Sequence, residues 1–69
     1  MSRTDWDFHE GKKYALEMIE AVPSYHELDF TLQNLRLYAD AKPVRYGDGI
    51  RSVVRTVERY LKHATASKE

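Results

Sequence analysis

"GIRSVVRTVERYLKHA", residues 49–64, carries the clearest helical pattern in this chain and sets its fold class. Its apolar residues recur at intervals of three and four, a spacing that turns one face of a helix towards a core. This inward stripe consists of Ile50, Val53, Val54, Val57, Tyr60, Leu61 and Ala64. Because valine has a modest helix propensity, tertiary packing must hold the helix. We predict a helix over about residues 49–64, followed by a frayed tail at residues 65–69.

The first segment of the chain also has a helical period. A capping box in "TDWD", residues 4–7, indicates a start near Asp5, and Pro23 ends the segment, so we predict a helix over about residues 5–21. Gly11 lies on its inward face and costs roughly 1 kcal/mol of helix propensity relative to alanine. Either a neighbouring helix approaches closely there, or the glycine is simply tolerated. The inward stripe is Phe8, Gly11, Ala15, Met18, Ile19 and Val22.

A second capping box, "SYHE" at residues 24–27, begins a helix over about residues 25–41. Its core-facing seam is Tyr25, Leu28, Leu32, Leu35 and Ala39. At 100° per residue, Phe30, Leu37 and Ala41 lie nearly opposite that seam. A helix that is apolar on two faces is generally buried on both. Either this helix is sandwiched between the other two, or its second face is a dimer interface.

The segment "KPVRYGDG", residues 42–49, is predicted to be a loop because it contains Pro43, Gly47 and Gly49. Three helices with short connections predict a single all-α domain over residues 1–69, a small three-helix antiparallel bundle. The alternative is a helical hairpin plus a third helix, completed by dimerisation. A domain of this size buries only about 60% of its unfolded surface, and without cysteine it has no disulfide. We therefore expect a homodimer.

Charge is unevenly distributed along the chain although the formal net charge is zero. Residues 1–34 carry three Lys and Arg against seven Asp and Glu, a net −4, and residues 35–69 carry the compensating +4. A zero net charge argues against a general nucleic-acid binder, which is usually strongly basic. No apolar run approaches the length of a membrane span, and the polar start lacks the apolar region of a signal peptide. These features predict a cytoplasmic protein that does not bind membranes.

Catalytic and metal-binding patterns are absent from the sequence. His9, His26 and His63 are far apart and belong to no metal-ligand motif. The serines lack the strand-turn-helix context of a nucleophile, and no pair of acids can be assigned to a shared apolar pocket. We predict that the chain is not an enzyme and requires no metal and no cofactor.

Three arginines lie one turn apart on the outer face of the third helix, and like charges at this spacing repel each other. They are Arg51, Arg55 and Arg59. Internal pairing with Glu58 or with the acidic first helix would relieve that repulsion. Alternatively, the face binds a protein partner of opposite charge, or Arg51, Ser52 and Arg55 contact DNA. Tyrosine is enriched at interface hot spots, so we add the loop tyrosine to the predicted partner-binding surface, which is Arg45, Tyr46, Arg51, Arg55, Arg59 and Lys62.

The DNA interpretation meets a geometric objection, because a helix-turn-helix needs a turn of three or four residues and the predicted loop is about twice as long. The sequence therefore predicts a small regulatory or inhibitory protein that occupies a protein target, the kind of product often encoded by phages and mobile elements. The alternatives are a DNA-binding transcriptional regulator that uses the basic face, or a structural assembly subunit.

Overall fold

The computed structural model of the chain describes residues 3–67, with side chains for residues 5–63. Its three helices are α1 (Arg3–Glu20), α2 (Tyr25–Asp40) and α3 (Val44–Ser67). Short connections make consecutive helices antiparallel, and the ring of Tyr14 on α1 stacks on that of Tyr38 on α2. Residues 3–67 contain no strand. The predicted all-α three-helix bundle is therefore confirmed.

One side of each helix forms the core, which consists of Ala15, Leu28, Leu32, Leu35, Ala39, Ile50, Val53 and Val54. The predicted seam of α2 is confirmed from Leu28 to Ala39, but Tyr25, at the end of the bundle, is 76% exposed. Met18 and Tyr60, also predicted to face inward, are exposed as well. Tyr60 lies about 70° from the centre of the α3 stripe, and Met18 borders a groove between α1 and α2.

The predicted loop over residues 42–49 is wrong, because α3 begins at Val44 and only Ala41–Pro43 turn the chain. The carbonyl of Pro43 accepts the first helical hydrogen bond from the backbone N–H of Gly47 at 2.9 Å. None of the three glycines has a positive φ, so neither Gly47 nor Gly49 makes the turn that its residue type indicates. At its other end α3 reaches Ser67. The predicted frayed residues 65–67 are thus helical, and residues 68–69 lie outside the described residues.

Glycines let the backbones of the helices touch. A Cβ atom on Gly11 would collide with the carbonyl oxygen of Tyr46, and one on Gly49 would collide with the carbonyl oxygen of Phe8. A Cβ on Gly47 would lie 2.6 Å from the carbonyl oxygen of Ala39 on α2. Glycine is therefore required here for close approach rather than for a turn. The interpretation of Gly11 as a site of close helix approach is confirmed.

The start of α2 is as predicted, and the other remaining helix ends differ from the prediction by one or two residues. Helix α1 begins at Arg3, so Thr4 is within the helix instead of capping it, and its side chain lies outside the described residues. Ser24 does occupy the N-cap position of α2, with an extended backbone. Its hydroxyl lies 3.5 Å from the carboxylate of Glu27 and makes no hydrogen bond to the backbone. Helix α2 ends at Asp40, with Ala41 as its C-cap.

The second apolar face of α2 is not covered by the other two helices. Phe30 is 67% exposed and Leu37 is 68% exposed, and Ala41 is exposed beside them. The sandwich interpretation is therefore wrong, because α2 packs on α1 and α3 through a single seam.

Candidate binding surface on helix α3

A groove rich in arginine runs along the outer face of α3, beside the first half of α1. It has a volume of about 400 Å³. We name it the arginine groove, and its lining residues are Phe8, Arg45, Asp48, Arg51, Ser52, Arg55, Thr56 and Arg59. Arg51, Arg55 and Arg59 recur every four residues, so the 3.6-residue period of α3 places them on one side of the helix, and Arg45 lines the same groove.

Two of the four arginines are held by carboxylates. Asp48 lies between them, with Oδ2 3.2 Å from Nη1 of Arg45 and Oδ1 3.4 Å from Nη1 of Arg51. Arg51 also reaches α2, where its Nη2 lies 2.7 Å from Oδ1 of Asp40. The guanidinium of Arg45 lies 4.8 Å from the centroid of the Phe8 ring, within cation–π range. These contacts restrict where Arg45 and Arg51 can point.

The other two arginines are not neutralised by the bundle. Arg55 and Arg59 are exposed, and neither has an ion-pair partner among the described residues. Glu58, which could have paired with them, instead forms an ion pair with Arg36 across α2 and α3. Internal pairing therefore accounts for Arg51, through Asp40 and Asp48, and leaves Arg55 and Arg59 directed to solvent.

The lining of the arginine groove is positively charged. Four guanidinium groups and the Asp48 carboxylate give its lining a formal charge of +3. Arginine presents a planar fork of donors that suits carboxylate or phosphate oxygens. Of the hydroxyl groups, that of Thr56 donates a 3.0 Å hydrogen bond to the carbonyl of Ser52, so its oxygen can still accept one. The arrangement suits recognition of an anion and has no recognisable nucleophile–base pair.

Two residues of the predicted surface do not line the arginine groove. Tyr46 was expected in an exposed loop, but it belongs to α3 and is half-buried near Tyr38. Burial raises the pKa of Tyr46 above 10.0, and the nearby Tyr38 hydroxyl raises it further. Lys62 is exposed farther along α3, beyond the groove.

Three groove residues were missed from the sequence. Phe8 was assigned to the core and Thr56 was not considered. Asp48 was placed in the loop, yet once α3 is known to start at Val44 its place is evident. It then lies three residues from both Arg45 and Arg51, a spacing that favours ion pairs on a helix.

The described residues show no group of three or more His, Asp or Glu side chains that could hold a metal ion. His9 on α1 and His26 on α2 are both exposed. None of the three helices is long and apolar enough, within the part of the chain that the structure describes, to cross a membrane. Comparisons with protein-family models, with curated proteins and with solved structures give no significant match to this chain.

Proposed function

We propose that this chain is a non-enzymatic regulatory or inhibitory protein that binds an acidic segment of a protein partner in the arginine groove. The observation that carries the proposal is the pair Arg55 and Arg59, exposed one turn apart with no ion-pair partner among the described residues. Like charges at this spacing weaken a helix. A bound anionic partner would remove that repulsion. Binding would therefore explain why the two arginines are present, whereas folding alone does not explain them.

The spacing of the two arginines suits an acidic helix. Residues four apart on a helix are separated by about 6 Å along the axis. A partner helix with carboxylates four residues apart presents its charges at the same interval. Arg45 and Arg51, already oriented by Asp48, lose less side-chain freedom on binding than free arginines would. The Phe8 ring adds apolar contact at the edge of the groove.

A protein partner fits this groove better than a nucleic acid does. The length objection to a helix-turn-helix no longer applies, since the connection between α2 and α3 is only Ala41–Pro43. However, the formal net charge of the chain is zero. Asp48 also places a carboxylate inside the groove, which repels any anion and so limits the number of anionic groups that the groove can take. Both features favour a limited acidic contact over a continuous polyanion.

Fluorescence anisotropy with a labelled helical peptide tests the proposal. The probe carries glutamates four residues apart, and a second peptide with glutamine at those positions measures non-ionic binding. The double variant Arg55→Gln, Arg59→Gln should bind the glutamate peptide about tenfold more weakly, the equivalent of ~1.4 kcal/mol. Lys13→Gln removes one positive charge from an exposed position on α1 outside the groove. It should leave the affinity unchanged.

Equal binding of the glutamate peptide by the wild type and the double variant would overturn the proposal. A labelled 20-base-pair duplex provides the competing result. If the duplex binds more tightly than the peptide, and its affinity falls steeply with salt, the groove is a nucleic-acid site.

A further inference from the structure

A second surface, independent of the arginine groove, is apolar and uncovered. Phe30 and Leu37 project from α2, each about two-thirds exposed. An open groove of about 400 Å³ separates α2 from the second half of α1, and Phe30, Met18 and Val22 border it. We name Met18, Phe30, Leu37 and Ala41, with this groove, the α2 face. Large apolar side chains grouped beside a groove indicate an interaction site.

The total surface of the chain is larger than a compact monomer of its mass should have. The chain exposes 5358 Å², whereas a folded monomer of 8.1 kDa is expected to expose about 4,500 Å². The excess of roughly 850 Å² matches the ~800 Å² that each partner of a typical stable interface buries. One interface of ordinary size would bring the exposed area down to the expected value.

We propose that the α2 face is covered by a second copy of this chain, with the two α2 helices antiparallel about a two-fold axis. In such an interface the same surface meets itself. The apolar pattern satisfies that condition, because Phe30 and Leu37 are seven residues, or about two turns, apart. Phe30 of each copy then packs on Leu37 of the other copy. The exposed amides of Gln33 and Asn34 meet at the axis.

Charge favours the antiparallel arrangement. Glu27 lies in the first turn of α2, and Lys42 lies just past its last residue, both exposed. An antiparallel pair keeps the two Glu27 side chains at opposite ends of the interface, and likewise the two Lys42 side chains, and it also sets the two helix dipoles in opposition. A parallel pair would place like charges side by side. The arginine groove lies on α3, outside this interface, so a dimer presents two grooves. Formation of the dimer does not depend on what those grooves bind.

Light scattering of the full chain tests the proposal at low and at high salt. The wild type should have a mass of about 16 kDa, twice the 8.1 kDa of one chain, at both salt concentrations. Phe30→Asp should halve that mass while circular dichroism shows the helices intact. Tyr60→Asp is the matched control, since Tyr60 is 69% exposed but lies on α3. It should remain a dimer.

Single-cysteine crosslinking keeps the proposal testable even if Phe30→Asp unfolds. The chain has no cysteine, so Asn34→Cys introduces one thiol near the proposed axis and oxidation should yield covalent dimers. Lys13→Cys, on the outer face of α1, should yield none.

A monomeric wild type at 100 µM would overturn the proposal, as would a Phe30→Asp variant that stays dimeric. A dimer that dissociates at high salt but tolerates Phe30→Asp would instead place the acidic half of a second copy in the arginine groove.

Discussion

Helix α1 meets its two neighbours in opposite ways. Against α3 the backbones touch, because Gly11 and Gly49 leave no side chain between the helices. Against α2 the contact rests on the stacked rings of Tyr14 and Tyr38, 4.6 Å between centroids, and farther along a groove stays open. The same small bundle therefore contains one contact that tolerates no added atom and one that leaves space for a partner.

The tight contact offsets the low helix propensity of glycine. Each glycine inside a helix costs roughly 1 kcal/mol relative to alanine, and α3 contains two of them near its start. Close packing recovers this cost through dispersion contacts along the helix crossing. The open contact shows the reverse, since Phe30 and Leu37 contribute nothing to the core of a single chain.

One of the two largest losses of stability should come from filling the tight contact between α1 and α3. Gly49→Ala adds a methyl group that collides with the carbonyl oxygen of Phe8 and lies 2.9 Å from the backbone N of Lys12. Backbone atoms cannot move aside as a side chain can. We expect a loss of about 2–3 kcal/mol of unfolding free energy, typical of an overpacked core, despite the higher helix propensity of alanine. Urea unfolding followed by circular dichroism measures this loss.

Gly47→Ala provides the graded comparison for that measurement. Its new methyl group meets the carbonyl oxygen of Ala39 at 2.6 Å, a lesser collision than at Gly49. The loss should therefore be smaller than for Gly49→Ala. If both variants are more stable than the wild type, as alanine in an exposed helix would be, the result would contradict a backbone contact of α3 with α1 and α2.

Substitutions of two leucines on α2 should show how differently the core and the uncovered face contribute to the unfolding free energy. Leu35 is 2% exposed and Leu37 is 68% exposed. Leu35→Ala should cost about 2–4 kcal/mol, since it leaves a cavity in the core. Leu37→Ala should cost much less at dilute concentrations, where only single chains are present. Repeating the Leu37→Ala melt at high concentration then shows whether dimer formation adds to the loss.

Periodicity was enough to predict the three helices and most of the core. The seam from Leu28 to Ala39 and the stripe from Ile50 to Val54 both follow the three-and-four spacing and are buried. Pro23 and Ser24 also marked the start of α2 correctly, because proline and an N-cap serine restrict the local backbone. These features depend on neighbouring residues alone, so a single sequence reveals them.

The start of α3 could not be predicted in this way. Gly47 and Gly49 are typical turn residues, and only contact with Ala39 and Phe8 explains why they lie in a helix. The arginine groove was not predicted for the same reason, since the predicted loop contained Asp48, which in the structure lies on α3 between Arg45 and Arg51. Whether an outer arginine is paired depends on which helix lies beside it, and a single sequence contains no such information.

Stability should distinguish the paired arginines from the unpaired ones. Arg51→Ala breaks ion pairs with Asp40 and Asp48, but these groups are partly exposed, so the expected loss is at most about 1 kcal/mol. Arg55→Ala removes a side chain with no ion-pair partner among the described residues. It should leave the unfolding free energy unchanged or slightly higher, because repulsion with Arg59 falls. A larger loss for Arg55→Ala than for Arg51→Ala in urea unfolding would contradict the assignment of Arg55 to binding.

A small effect should be an alkaline loss of stability at the tyrosine contact, the cluster of Tyr14 on α1, Tyr38 on α2 and Tyr46 on α3. Burial raises the pKa of Tyr14 and of Tyr46 above 10.0, their ordinary value. The folded chain thus holds these protons more tightly than the unfolded chain does. The stability they contribute is present below pH 10 and is lost as the pH rises through the folded pKa.

Melting temperatures between pH 8 and pH 11 check this effect, with the double variant Tyr14→Phe, Tyr46→Phe compared with the wild type. The variant should lose less stability above pH 10 because two ionisable hydroxyls are gone. Some dependence should remain, since hydrogen bonding to Tyr38 raises the pKa of Lys42 and acts in the same direction. Tyr60→Phe, at an exposed position, should behave as the wild type. Identical curves for the double variant and the wild type would mean that the tyrosine contact is open to water, like the groove beside it.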